Sequence, residues 1–120
     1  MNRKKIDKIM ESHGFYIWDT GGGCQAYVRT EIIGGVKHEF MLTDIGGLDL
    51  PTNLNHLSFG HYIDQTTRSI DSTVNTTFKE VIKYINICKY AIEVIECINS
   101  CTRSSLSSMS QTLFPLAFLH

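Results

Sequence analysis

The 120-residue sequence lacks an apolar run of about 18 residues or more, the length that a membrane-spanning helix requires. It also lacks a strong excess of charge, because 11 lysines and arginines face 12 acidic residues, for a formal net charge of −1. This balance argues against a dedicated nucleic-acid binder and against an acidic DNA mimic. The chain is also too short for two catalytic domains. We therefore expect a single domain with neither a membrane span nor a nucleic-acid partner.

Three of the four cysteines lie in or just after one predicted helix, at Cys88, Cys97 and Cys101. Helix positions four apart hold their Cβ atoms about 5–6 Å apart, whereas a disulfide needs about 3.8 Å. We therefore expect reduced thiols in a cytoplasmic protein. The basic N-terminal segment lacks a following apolar stretch, so we expect no signal peptide.

Hydrophobic residues make up 42% of the chain, which is enough for one core. Ile6, Ile9 and Met10 have helical spacing and predict a short helix over residues 3–13. Period-two alternation, typical of half-buried strands, then follows in residues 24–31, 36–43 and 57–64. Residues 15–18 form a further β-rich run, and residues 66–75 are either a weak edge strand or a loop. Gly21–Gly23 and Gly34–Gly35 predict hairpin turns.

The last predicted element is a helix over residues 78–100. It begins with a capping box at Thr77 and Glu80, and it carries two adjacent apolar stripes. A stripe this wide indicates either deep burial or contact with another chain, such as a second copy. Residues 103–120 form a Ser-rich linker and an apolar tail that either covers the core, docks on a partner or is disordered. The sequence predicts one α+β domain over residues 1–102, with an antiparallel sheet of three to five strands between a short N-terminal and a long C-terminal helix.

Few residues carry a recognisable chemical pattern. The three glycines at 21–23 lack the Lys-Ser/Thr of a phosphate-binding loop, which favours a hairpin turn. Asp44 to Asp49 lacks the alternating ligands of a calcium loop, which favours an Asx-type turn. His38 and His61 fall on the inferred inward faces and are expected to be core histidines. A zinc site with Cys24, or catalysis by that thiol, is the less favoured alternative. We expect no enzyme, no metal and no cofactor.

A partner-binding surface is the preferred interpretation of the polar and aromatic strand positions. The alternation assigns Ala26 and Val28 to the core, and hence Tyr27 and Arg29 to the opposite face of the sheet. Aromatic residues on an exposed sheet face often mark interfaces, although the first helix would equally cover them. Residues 31–76 carry a net charge of −4, which would steer a basic partner surface. The predicted partner-binding residues are Trp18, Tyr27, Arg29, Asp44, Asp49 and Tyr62.

Three segments resemble a family of small phage- and prophage-encoded proteins of uncharacterised function. They are Gly21–Tyr27, with the pattern GGGCxAY; Leu42–Gly46 with Leu50–Thr52, with the pattern LTD…LPT; and Phe59–Asp64, with the pattern xGxYxD. The resemblance covers roughly residues 14–64, carries over no catalytic residue, and implies an accessory gene of a mobile element.

This setting favours a non-enzymatic protein that blocks a host defence component in the bacterial cytoplasm, as anti-CRISPR proteins do. The alternatives are an oligomeric sponge for a nucleotide second messenger, or a small structural or interaction protein. The sponge would use the backbone amides of Gly21–Gly23 or Gly46–Gly47, with Arg29 or Arg68 on phosphate.

Overall fold

The computed structural model describes residues 2–63 and 69–104, and of the side chains beyond Ala91 only that of Ile98. The described part of the chain contains one helix, then five consecutive strands, and then a second helix. In chain order they are α1 (Arg3–Ser12), β1 (Tyr16–Gly21), β2 (Cys24–Ile33), β3 (Val36–Thr43), β4 (Leu57–Ile63), β5 (Asp71–Thr76) and α2 (Phe78–Ser104). The predicted α+β class is confirmed, with five strands in the sheet.

The sheet is an antiparallel meander in which each strand pairs with its neighbours in the chain, in the order β1-β2-β3-β4-β5. Gly34 and Gly35 join β2 to β3 with φ angles of 60° and 78°, which only glycine adopts without strain. The glycine turn at 21–23 joins β1 to β2, so both predicted hairpins are confirmed. The uncertain segment 66–75 contains the edge strand β5, while residues 64–68 lie outside the described part of the chain.

Both helices pack on the same face of the sheet and form one hydrophobic core with it. The helices contribute mainly Ile6 and Met10 from α1, and Val81 and Ile85 from α2. The strands and their flanking loops contribute Phe15, Tyr27, Ile33, Phe40, Leu42, Leu50, Leu57 and Phe59. The two helices meet where the Phe15 ring, just after α1, lies 5.9 Å from the Phe78 ring at the start of α2. The result is a two-layer structure in which the described helices leave one face of the sheet uncovered.

The opposite side of the sheet, here called the open face, is built from cross-strand rows. One row contains Trp18, Ala26, Thr43 and Ser58, and the next contains Tyr16, Val28, Met41, Gly60 and Ser72. Ala26 and Val28 are buried even though no described helix covers them. Their larger row neighbours Tyr16, Trp18 and Met41 flank them, and we infer that these side chains exclude water from the two small residues.

Helix α2 packs its first apolar stripe on the sheet together with Tyr84 of the second stripe, while the rest of the described second stripe is exposed. Val81 and Ile85 are buried, but Ile87 and Tyr90 are 57% and 69% exposed, so the described part of α2 is not deeply buried. The Thr77 hydroxyl accepts a hydrogen bond from the Glu80 amide at 3.2 Å, as the capping box predicts. Within the described residues, no helix is both long and apolar enough to cross a bilayer.

The C-terminal segment falls partly outside the structure. Helix α2 extends to Ser104, so the first two residues of the predicted linker are helical. Residues 105–120, which include the predicted apolar tail, lie outside the described residues. Contact between copies through α2 or the tail therefore stays a prediction.

A glycine in the middle of β4 allows an aromatic ring to lie flat on the open face. A Cβ atom added to Gly60 would come within 2.8 Å of Tyr62 Cε1 and 3.1 Å of its hydroxyl oxygen. The Tyr62 ring thus folds back over Gly60 along the same strand and covers backbone that has no side chain of its own. Gly60 does not have the positive φ of the turn glycines, so its role is steric.

The Gly60→Ala variant should therefore displace the Tyr62 ring and lower the free energy of unfolding by about 1–2 kcal/mol, a typical overpacking cost. In a Tyr62→Ala background the same change should cost little, because the ring that it strikes is gone. Urea denaturation of the wild type, both single variants and the double variant measures this coupling. Equal losses in the two backgrounds would show that Gly60 does not accommodate Tyr62.

Candidate functional site

The open face and the β1 edge carry the largest exposed aromatic groups of the described sheet. Tyr16 and Trp18 are 44% and 51% exposed, and their rings meet edge to face with centroids 6.4 Å apart. They lie on the same face because they are two residues apart on one strand. Tyr62 is half-buried on this face, three strands away from β1. Trp18 and Tyr62 therefore lie on the face where the sequence places them.

The face predicted for Tyr27 and Arg29 is wrong, because both residues lie on the side of the sheet that the helices cover. Tyr27 pairs with Leu42 across the sheet and is only 1% exposed. On β2, Ala26 and Val28 lie on the open face and Tyr27 lies on the helix-covered face, which is the reverse of the prediction. Tyr27 can be buried there because residues of α1 form hydrogen bonds with its hydroxyl. The alternative that α1 covers this aromatic position is confirmed for Tyr27.

Tyr27 anchors α1 to the sheet through its hydroxyl group. The hydroxyl donates a short hydrogen bond to the Asp7 carboxylate and accepts one from Arg3 Nη1 at 2.9 Å. Burial and the bond to Asp7 raise the pKa of Tyr27 to about 12, although Arg3 acts in the opposite direction. The phenol therefore stays protonated and keeps donating over the whole physiological range of pH.

Arg29 is held in an ion-pair network between β2 and α2. Its Nε atom donates to Glu31 Oε2 at 2.7 Å, and Lys89 Nζ lies 3.4 Å from Glu31 Oε1. Burial acts to raise the pKa of Glu31, but the hydrogen bond and charge of Arg29, with the charge of Lys89, outweigh it and lower that pKa. The guanidinium is thus committed to a carboxylate on the helix-covered face, on the opposite side of the sheet from the Gly46–Gly47 loop, which lines a groove on the open face.

Asp44 and Asp49 organise the loop that follows β3. Asp44 Oδ1 accepts hydrogen bonds from the amides of Leu48 at 3.1 Å and Asp49 at 3.3 Å. The Asp44 amide in turn donates to the Asp49 carbonyl at 2.7 Å, and Asp49 Oδ1 accepts from the Leu50 amide. The Asx-type turn expected from the sequence is therefore present, and both carboxylates bind backbone amides of their own loop.

A chain of hydrogen bonds, here called the histidine–tyrosine network, links β3, β4 and α2 through His38, His61 and Tyr84. His38 Nδ1 lies 2.7 Å from His61 Nε2, and His61 Nδ1 lies 2.7 Å from the Tyr84 hydroxyl oxygen. His61 is only 3% exposed, so the expectation of an inward core histidine is confirmed. The Tyr84 hydroxyl also interacts with the Cys88 thiol and with the Asp71 carboxylate of β5.

The two contacts of the network fit either of two directions of hydrogen bonding. Either His38 Nδ1 donates to His61 Nε2 and His61 Nδ1 donates to the Tyr84 oxygen, or Tyr84 donates to His61 Nδ1 and His61 Nε2 donates to His38 Nδ1. Burial lowers the pKa of His38, while burial and then the charge of His38 lower the pKa of His61. Burial likewise raises the pKa values of Tyr84 and Cys88. Neutral groups are thus favoured at all four positions, and the network holds α2 on the sheet.

Among the residues that the structure describes, no set of side chains is assembled that would bind a metal ion. No group of three or more histidine, cysteine or acidic side chains lies close enough together to hold an ion there. Cys24 and Cys88 are free thiols that are partly buried. Cys97 and Cys101 lie where side chains are not described.

Sequence reasoning missed two arrangements, the exposed Ile17 on the β1 edge and the partner of His61. The helical periodicity places Tyr84 on the second apolar stripe of α2, but it does not show that this stripe meets a histidine 23 residues away. No family model, curated protein or solved structure matches the chain. The interpretation of the site therefore rests on geometry alone.

The lowered pKa values of His38 and His61 predict a loss of stability in acid. Below the ordinary histidine pKa of 6.5 the unfolded chain binds protons that the folded protein excludes. The free energy of unfolding should therefore fall as the pH drops through 6.5, and these two groups should contribute no pH dependence well above it. Thermal melts between pH 7.5 and pH 5 measure the slope.

A His38→Gln/His61→Gln double variant should show a flatter pH profile than the wild type. The exposed His56 offers a matched control, since His56→Gln should keep the wild-type slope. An unchanged slope in the double variant would show that the histidine–tyrosine network is not the source of the pH dependence.

Proposed function

We propose that this chain is a non-enzymatic binding protein that contacts another protein through the open face of its sheet. The observation that supports the proposal best is the exposure of Tyr16 and Trp18 on a face that no described helix covers. Tyrosine and tryptophan are enriched at the energetic centres of protein interfaces, where they bury a large area at a low cost in conformational entropy. An exposed pair on a rigid sheet is thus a preorganised contact surface.

The surroundings of the pair support a binding role. Ala26 and Val28 give the open face a dry base between the aromatic residues, and the Tyr62 ring extends the surface across β4. The carboxylates of Asp44 and Asp49 hold their own loop in shape, so we assign them the support of a surface rather than acid–base chemistry.

The resemblance to phage- and prophage-encoded proteins suggests the partner. A protein that blocks a host defence component by contact in the bacterial cytoplasm needs only a stable small fold and a complementary surface. We therefore propose inhibition of a defence complex, such as a CRISPR effector, as the function. The nucleotide sponge has less support, because Arg29 already pairs with Glu31 and faces away from Gly46–Gly47.

Trp18→Ala should abolish the inhibition of host defence. In bacterial strains that each carry one defence system, we expect expression of the wild-type chain to restore phage plating in at least one strain. Loss of an interface tryptophan commonly weakens binding by about 30-fold, so the variant should restore little plating.

The matched control is Ile87→Ala, which truncates a similarly exposed apolar side chain on α2, away from the open face. This variant should behave as the wild type, and thermal melts should show that both variants are folded. Full activity of Trp18→Ala, equal loss in both variants, or no restored plating by the wild type against any system would contradict the proposal.

A further inference from the structure

The strand β1 has an unpaired backbone edge. It pairs only with β2, it is the first strand in the order of the sheet, and all six of its residues are exposed. The amide and carbonyl groups along its outer edge therefore have no strand partner within the described residues. An unpaired edge of this kind is a template for an added strand.

The side chains of β1 favour pairing with an added strand, because they do not block its outer edge. Ile17 is 45% exposed and points to the helix-covered side, while Tyr16 and Trp18 point to the open face. The strand has no proline or lysine, and its pairing becomes irregular only after Asp19. Edge strands that are closed to partners usually carry such residues or a bulge.

The other edge of the sheet is less suited to a partner. The pairing of β5 with β4 shifts register between Leu57 and Phe59. Asn75 on β5 has a φ angle of 60°, which takes the backbone out of the extended conformation, and its side chain is bonded to His56 Nδ1 at 2.8 Å. Both edges thus contain one register shift, but β1 is regular over Tyr16–Asp19 and shifts only at its Gly21 end, whereas β5 also leaves the extended conformation at Asn75.

The charge beside β1 indicates what kind of strand fits. A cleft between α1 and β1 is lined by Asp7 and Glu11 of the helix, together with Phe15, Tyr16, Ile17 and Tyr27. The Asp7 carboxylate accepts from Tyr27, whose hydroxyl also contacts Arg3. The exposed Glu11 carboxylate forms no ion pair with any described residue, so it supplies the available negative charge of the cleft. A strand added next to β1 would place every second side chain along this acidic cleft.

We propose that the β1 edge takes up an extended segment of a partner protein as a sixth strand of the sheet. That segment carries lysine or arginine on the side that faces α1 and aromatic or apolar residues on the side that lies beside Tyr16 and Trp18. This inference rests on the proposed binding function and names the mode of binding and the chemistry of the partner.

A second copy of this chain fits the edge less well. Two antiparallel β1 edges related by a two-fold axis perpendicular to the sheet would place both α1 helices on the same side. Each α1 carries a net positive charge, since Arg3, Lys4, Lys5 and Lys8 outnumber Asp7 and Glu11. The two helices would therefore approach each other with like net charge, which opposes association. The exposed Glu11 instead favours a basic residue on a partner strand.

Trp18 is the sole tryptophan of the chain, so its fluorescence reports directly on the β1 edge. The probe is a capped synthetic octapeptide in which lysine alternates with valine and tyrosine. Titrated into the full-length protein, it should shift the Trp18 emission to shorter wavelength. A matched peptide with glutamate in place of lysine should bind more weakly, by about threefold for each charge that is reversed.

Two N-methylated forms of the lysine peptide test for backbone pairing. Methylation of alternate amides should abolish binding in one register and leave it intact in the other, because only one edge of the peptide faces β1. Glu11→Gln should weaken binding of the lysine peptide several-fold, whereas the control Glu80→Gln, at the start of α2, should not.

Equal binding of the two methylated forms, or of the lysine and glutamate peptides, would overturn the inference. A blue shift that grows with protein concentration without peptide, together with a dimer in sedimentation, would overturn it in favour of a second copy. If the lysine peptide does not bind but Trp18→Ala still abolishes inhibition of host defence, the inference of a sixth strand is wrong and the proposed binding function stands. If the peptide binds but the chain restores no phage plating, the sixth strand stands and the inhibition of host defence is wrong.

Discussion

Both helices cover the same face of a single sheet, and this one-sided coverage sets the character of the remaining surface. A half-covered sheet must shield its own second face with its own side chains. On β2 this is done by small residues, Ala26 and Val28, between larger neighbours on β1 and β3. The aromatic groups that provide this shielding are exposed in turn, because no described layer lies above them. The contact surface is thus a direct consequence of the two-layer architecture.

The helix-covered face tolerates polar groups because each of them has a partner. The Tyr27 hydroxyl lies between Arg3 and Asp7, and His61 lies between His38 and Tyr84. Burial of an unpaired hydroxyl or imidazole would cost about 1–3 kcal/mol or more, which is as much as several buried methylene groups contribute. No buried side-chain nitrogen or oxygen in the described part of the chain lacks a hydrogen bond. These bonds tie each helix to a defined position on the sheet.

Local patterns in the sequence are sufficient to predict most elements and one side of the core. The glycine turns, the capping box at Thr77 and the inward His61 all follow from spacing and propensity within a few residues. The phase of β2 does not follow, because its choice of face depends on α1 residues about 20 positions away that satisfy Tyr27. The same limit applies to the site. Trp18 and Tyr62 lie on the predicted face, but Arg29 is turned towards Glu31 and Lys89, an arrangement that needs α2 in place.

The strictly sequential strand order has a consequence for how the chain reaches this structure. Each strand pairs with a strand adjacent in the chain, and two of the connecting loops are two residues long. The β3–β4 loop spans residues 44–56, but the entropy lost on closing a loop grows only slowly with its length. The β1–β2 and β2–β3 hairpins each close through two glycines and therefore have the smallest loop-closure cost among the strand pairs. The helices join the sheet through contacts between distant parts of the chain, among them Tyr27 with Asp7, Lys89 with Glu31, and Phe15 with Phe78. We therefore expect the docking of the helices to follow hairpin formation.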